Sequence, residues 1–164
     1  MKGFQNQMNK PTEASDVPVR SIARVVGQES VVEQVKVALD ASQMDNMKFP
    51  HSLLVGGPGL GKSMISEIIS AEMSEPCQEV LGQSIMSIAD LNAILLQATD
   101  KSIVFIDECH ELRKDYQTAL YLALDKQTVY MNGGKAIQPI PIADFTLLLA
   151  SMMSTVFLLH YVTA

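Results

Sequence analysis

The run Ser52-Leu53-Leu54-Val55 leads into Gly56-Gly57-Pro58-Gly59-Leu60-Gly61-Lys62-Ser63, and this stretch constrains the chain more than any other. A short apolar strand feeding G-x-x-x-x-G-K-S is the phosphate-binding P-loop. The residue types follow from the chemistry. Glycines let successive backbone N–H groups turn inward around a β-phosphate. Lys62 supplies a point charge toward the β/γ oxygens, and the Ser63 hydroxyl is a ligand for Mg²⁺. Beyond the loop, Met64, Ile65, Ile68, Ile69 and Met73 recur at helical spacing. Residues 64–73 therefore predict a helix whose N-terminus faces the phosphates. A merely structural glycine-rich turn would need neither the strand before it nor the helix after it.

A second chemical signal is Ser102-Ile103-Val104-Phe105-Ile106-Asp107-Glu108-Cys109-His110. This β-branched, apolar run ending in Asp-Glu has the form of a Walker B strand. Its carboxylates would emerge at the C-terminal end of a buried parallel strand, where open α/β sheets bind ligands. Asp107 is expected to hold Mg²⁺ through water, and Glu108 to orient and deprotonate the attacking water. The tetrad Asp-Glu-Cys-His also spells the box of a different helicase superfamily, but the glycine-opened loop at 56–63 does not suit that group. Cys109 and His110 are expected to pack between strand and helix, since no partner pair at zinc spacing accompanies them.

The other elements fall into place around these two. Residues 1–19 are polar, contain Pro11 and Pro18, and predict a flexible arm. Gly27-Gln28-Glu29 leads into Val31, Val32, Val35, Ala38 and Leu39, one face of a helix. Residues 40–50 read as a polar connector and Cys77–Leu81 as a second strand. Ser87 and Asp90 form a capping-box pattern ahead of a helix lined by Ile88, Leu91, Leu95 and Ala98. Ala119, Leu120, Ala123 and Leu124 mark the helix after Walker B. Strands alternating with helices at this spacing predict a parallel α/β sheet with flanking helices.

The 164 residues amount to one domain, and the formal net charge of −6 argues against a broad basic face for nucleic acid. Cys77 and Cys109 read as reduced thiols in a cytoplasmic protein. The N-terminus lacks the apolar core of a signal peptide. Residues 145–159 are uncharged, but fifteen residues fall short of the ~20 a membrane span needs, so no membrane role is expected.

With GGPGLGKS, IVFIDECHEL and the upstream VVGQE in hand, the chain resembles the AAA+ ATPases. More narrowly, it resembles the RuvB family of Holliday-junction branch-migration motors. The resemblance covers about residues 21–151 and includes Asp90-Leu91-Asn92-Ala93-Ile94-Leu95. It also includes the hairpin around Asn132-Gly133-Gly134-Lys135 and the strand through Phe145-Thr146-Leu147. Asn-Gly between β-prone runs is a tight-turn signal in its own right. The resemblance implies an AAA+ core over 20–151, with ATP and Mg²⁺ as cofactors. It implies Glu108 and Lys62 as catalytic residues and Gly57, Pro58, Gly59, Leu60, Gly61, Lys62 and Ser63 as the phosphate site. Ser63 and Asp107 would serve the metal, and Val25, Val26 and Gly27 would lie against the adenine. It further implies a hexameric ring, four-way junction DNA as substrate, and a RuvA-like partner on the hairpin. Within the superfamily, a clamp loader or other remodeller is the alternative; outside it, a non-catalytic ATP-binding fragment.

Past Ser151 the pattern departs from the family. Where the family has a sensor threonine this chain has Met152, whose thioether cannot orient water. Residues 152–164 form an apolar tail in place of the family's Leu-Arg-Asp-Arg segment, which carries the arginine finger. Those residues can be encoded so that a neighbouring frame spells D-E-Y-C-F-L-A-S-L-R-D-R. The expectation is therefore a core left incomplete at its C-terminus by a frameshift, which the nucleotide sequence after the Ser151 codon would settle.

Overall fold

Four strands form a parallel sheet in the order β1–β6–β3–β2, namely β1 (Ser52–Val55), β6 (Thr146–Ser151), β3 (Ile103–Asp107) and β2 (Cys77–Leu81). The computed structural model describes residues 21–132 and 137–152. The expected N-terminal arm, residues 133–136, which include Gly133-Gly134-Lys135 of the expected hairpin, and the tail from 153 lie outside them.

The two central strands explain their own sequences. Strand β6 is buried along its whole length and β3 up to Asp107, which is why both read as unbroken apolar runs instead of alternating ones. Successive side chains still point to opposite faces. Val104, Ile106, Leu147 and Leu149 enter one core with Leu91, Leu95, Tyr116 and Leu120. Ile103, Phe105, Leu148 and Ala150 enter the other with Val35, Leu39, Ile65, Ile68 and Ile69. Helices α3 (Ile88–Gln97) and α4 (Lys114–Lys126) thus cover one face, and α1 (Glu29–Met44) and α2 (Lys62–Met73) the other. The expected parallel α/β sheet with flanking helices is what the chain forms. None of the helices among the described residues is long and apolar enough to cross a membrane.

Three local readings are sharpened. Helix α1 runs on to Met44, through the first residues of the expected connector. Ser42 is buried in that last turn, its hydroxyl donating to the Ala38 carbonyl at 2.7 Å, so polarity there does not mean exposure. At α3 the Ser87 hydroxyl accepts the Asp90 N–H at 3.1 Å, as a capping box requires. The Asp90 carboxylate reaches one residue further back, accepting the Met86 N–H at 3.2 Å. The hairpin is β4 (Thr128–Asn132) paired antiparallel with β5 (Ile137–Pro141). Tyr130 stands opposite Pro139 in a non-hydrogen-bonded pair, where a residue without an N–H costs the ladder nothing, since the hydrogen-bonded phase is that of Ile142 and Gln127 (3.1 Å). The Tyr130 carbonyl, turned away from β5, accepts from the buried Asn92 side chain of α3 at 3.1 Å, which ties the hairpin to that helix.

At the opposite edge of the sheet from the P-loop, His51 takes the Leu147 N–H on Nδ1 at 2.8 Å, and Lys48 pairs with Asp144 at 2.7 Å. Both cysteines are free thiols.

Candidate nucleotide site

The parallel register brings the C-terminal ends of all four strands to one edge. Leu81 lies beside Asp107, and Val55 beside Ser151. The P-loop springs from this edge, where the Gly56 N–H donates to the Ser151 carbonyl at 3.0 Å. Gly59 and Gly61 have φ of +75° and +81°, a backbone that side chains other than glycine strain to adopt. Gly61 is also the N-cap of α2. It offers no side-chain oxygen to the first-turn N–H groups, and that turn carries no acidic residue. The free N–H groups and the positive end of the helix dipole are therefore left for an anion.

Pro58, Gly59, Gly61, Lys62 and Ser63 line a cavity of about 410 Å³ together with Met64, Asp107 and Glu108. The structure thus brings the two motifs, separated by more than forty residues in the chain, onto one space. Lys62 Nζ donates to the Gly56 and Gly57 carbonyls at 2.9 and 3.1 Å, which folds the ammonium back into the loop it serves. The Asp107 carboxylate accepts the Glu108 N–H at 2.8 Å, and Glu108 itself sits at φ +52°. A hydroxyl and two carboxylates make an oxygen set suited to Mg²⁺. The neighbouring Cys109 contributes nothing to it. Its thiol is fully buried and is pushed up to about 12, chiefly by burial and further by the Asp107 charge.

The remaining expected residues lie beside the loop. Val25, Val26 and Gly27 line a smaller cavity of about 60 Å³ with Leu60, Met64 and Ile65. Val25 packs against the core beneath, whereas Val26 is 98% exposed, a side chain free to meet an aromatic base. Of the expected loop residues, Leu60 lines the smaller cavity and Gly57 lines neither, and the Leu60 methyl stands 3.3 Å from where a Cβ on Gly56 would be.

Three residues escaped the motif reading. Gln28 follows Gly27 in a second positive-φ step (+51°), and its amide donates to the Leu60 carbonyl at 3.0 Å, tying the entry of α1 to the P-loop. A carboxamide at a helix N-cap was the available signal. Gly82, in the single turn Gly82–Ser84 after β2, packs against the Glu108 backbone with no room for a side chain. His110 was expected to pack, as Cys109 does. Its ring is mostly buried, but both nitrogens face polar atoms: Ser151 Oγ at 3.4 Å on one side and the Glu108 and Glu111 carboxylates on the other.

Comparison with known proteins agrees with this geometry. The family described as the Holliday junction DNA helicase RuvB P-loop domain matches residues 18–158. The Holliday junction branch migration complex subunit RuvB of Acidothermus cellulolyticus is 33% identical over 133 residues, which is 79% of this chain and 36% of that protein. Among solved structures, a mutant of Thermotoga maritima RuvB superposes with a TM-score of 0.73 at 32% identity, covering 82% of this chain and 42% of that one. Thermotoga maritima RuvB described as the Holliday junction branch migration motor gives a TM-score of 0.69 at 31% identity, covering 84% and 44%. The chain therefore spans less than half the length of these relatives.

Proposed function

Since the chain belongs to the Holliday junction DNA helicase RuvB P-loop domain family, we propose that it is the nucleotide-binding core of an ATP-driven branch-migration motor. One observation carries this reading: Lys62, Ser63, Asp107 and Glu108 converge on a single cavity at the uncapped N-terminus of α2. Lys62 leaves its two loop carbonyls to bind the β/γ oxygens of ATP, helped by the backbone N–H groups of residues 59–63. Ser63 and Asp107 hold Mg²⁺, which when bound neutralises charge developing on the phosphates. Glu108 accepts the proton of the attacking water. Val26 and Gly27 contact the base, with Val26 covering it from solvent.

The family relationship supports the wider setting, in the cytoplasm: a homo-oligomeric ring of six subunits acting on four-way junction DNA with a RuvA-like partner. The net charge of −6 fits a subunit whose DNA contacts are local. A clamp-loader role within the same superfamily is less well supported, because the relatives described above at over 30% identity carry RuvB names.

A second reading has its own observation. Met152, 43% exposed directly after β6, replaces a sensor hydroxyl with a thioether. It favours a domain that binds Mg-ATP while turning it over slowly.

Titration with a fluorescent ATP analogue tests the site. Binding should need Mg²⁺ and should weaken by about 100-fold in Lys62→Ala, since the lysine is the main charge facing the phosphates. Equal affinity in the two chains would refute the reading. Junction unwinding with RuvA present then separates a motor from a nucleotide-binding module.

A further inference from the structure

The end of β6 and the catalytic carboxylate are joined through one imidazole. His110 lies in the turn Cys109–Glu111 that follows β3, with its side chain 13% exposed. Its Nδ1 is 3.4 Å from Ser151 Oγ, and its Nε2 is 3.6 Å from Glu108 Oε2 and 3.4 Å from Glu111 Oε1. A packing histidine would turn ring carbons toward its neighbours. Here both nitrogens are spent on polar atoms from two different strand ends. Carboxylate oxygens accept and do not donate, so Nε2 carries the hydrogen. In the neutral ring Nδ1 is then an acceptor, and the Ser151 hydroxyl donates to it.

Glu108 needs such a partner. Its side chain is 40% exposed, so packing does not fix its carboxylate, and a general base must be held within hydrogen-bond reach of its water. From this arrangement we infer that His110 is a positioning residue for Glu108, transmitting the place of Ser151 at the end of β6 to the carboxylate. The inference rests on the reading of the cavity as an ATP site. The 3.4 and 3.6 Å approaches of Nε2 to the carboxylates are ion-pair distances and not formed hydrogen bonds, and catalytic hydrogen bonds are often completed only when substrate draws the groups together. Glu111 competes for the same Nε2–H from the other side. It is the more exposed of the two acids, so in water it is the weaker competitor.

The test uses the full 164-residue chain. Nitrogen-15 spectra of the imidazoles at pH 8 should show His110 as the Nε2–H tautomer, with its Nδ1 resonance moving in Ser151→Ala. The Nδ1–H tautomer would overturn the inference whatever the turnover. In ATPase assays His110→Leu should lower kcat by about 10- to 100-fold, the size expected of a misplaced catalytic group, with KM and nucleotide affinity unchanged. His110→Gln, whose amide N–H can reach the same carboxylate, should keep most of the rate. Equal losses in Leu and Gln variants, or a loss carried by KM, would sink the positioning role. A fall in kcat for Glu111→Gln as large as that for His110→Leu would sink it too, by making Glu111 the relevant carboxylate. Turnover that persists in Lys62→Ala would sink the ATP-site reading itself, a result distinct from the wrong tautomer.

Discussion

The backbone of Gly82 lies so close to Glu108 that a Cβ added to it would stand 2.5 Å from the Glu108 carbonyl oxygen and 3.3 Å from that of Asp107. The turn after β2 is thus pressed against the peptide that bears both carboxylates. Because the opposing atoms are backbone, they cannot swing aside as a flexible side chain would.

Gly82→Ala should therefore act on the site as well as on the fold. Relief of the contact must shift the left-handed Glu108 backbone (φ +52°) or the β2 turn. The cost should be about 1–3 kcal/mol, the range for overpacking. Thermal unfolding should register a lower Tm, and Lys62-dependent turnover should fall further than the fraction unfolded accounts for. A variant matching the parent in both would show that the contact relaxes freely.

Asp107→Asn separates charge from geometry. A carboxamide oxygen can still accept the Glu108 N–H that the carboxylate takes at 2.8 Å, so β3 should keep its end. The charge opposite Ser63 is lost, and the gain in ATP affinity on adding Mg²⁺ should shrink by about tenfold, as for other groups that orient a metal's ligands. Affinity measured with and without Mg²⁺ decides it. An unchanged Mg²⁺ gain would place the metal elsewhere.

His51 makes stability depend on pH. Burial, with the Lys48 charge adding to it and Asp144 opposing, lowers its pKa from 6.5 to about 4. Protonation would put a second N–H against the Leu147 N–H that Nδ1 now accepts. Between those pH values the unfolded chain binds the proton and the folded chain does not, so stability is complete above pH 6.5 and is lost as pH falls toward 4. At about 1.4 kcal/mol per pH unit the loss is on the order of 3 kcal/mol. Urea unfolding of the parent and of His51→Gln from pH 7 to 4 should differ by that slope. Parallel curves would rule the residue out as its source.

Asn92→Ala should loosen the hairpin while sparing the nucleotide site. The Tyr130 carbonyl points away from β5, toward α3, and accepts its hydrogen bond from the Asn92 amide. Losing it leaves a partly buried carbonyl unsatisfied, at a cost of about 1–3 kcal/mol. Hydrogen exchange should accelerate across β4 and β5, with ATP-analogue affinity unchanged. Protection equal to the parent's would mean that water replaces the amide.

The fold and the chemical half of the site were legible in the sequence because their signals are local. A strand, six residues of loop and a helix define a phosphate cradle by backbone conformation. A run such as Ile103-Val104-Phe105-Ile106 declares burial on both faces by having no polar alternation. What the sequence could not carry is adjacency between strands that are far apart in the chain. Strand β6 inserts between β1 and β3, and this sets Ser151 next to Val55 and within reach of His110. The same register sets Gly82 against Glu108, and Gly82 belongs to no motif. Spacing alone determined which groups this chain offers for the proposed contacts to phosphate, metal and water. Only the parallel register and its close packing decided which other residues touch those groups. Contacts of that kind depend on distances across the sheet, and no pattern along the chain encodes them.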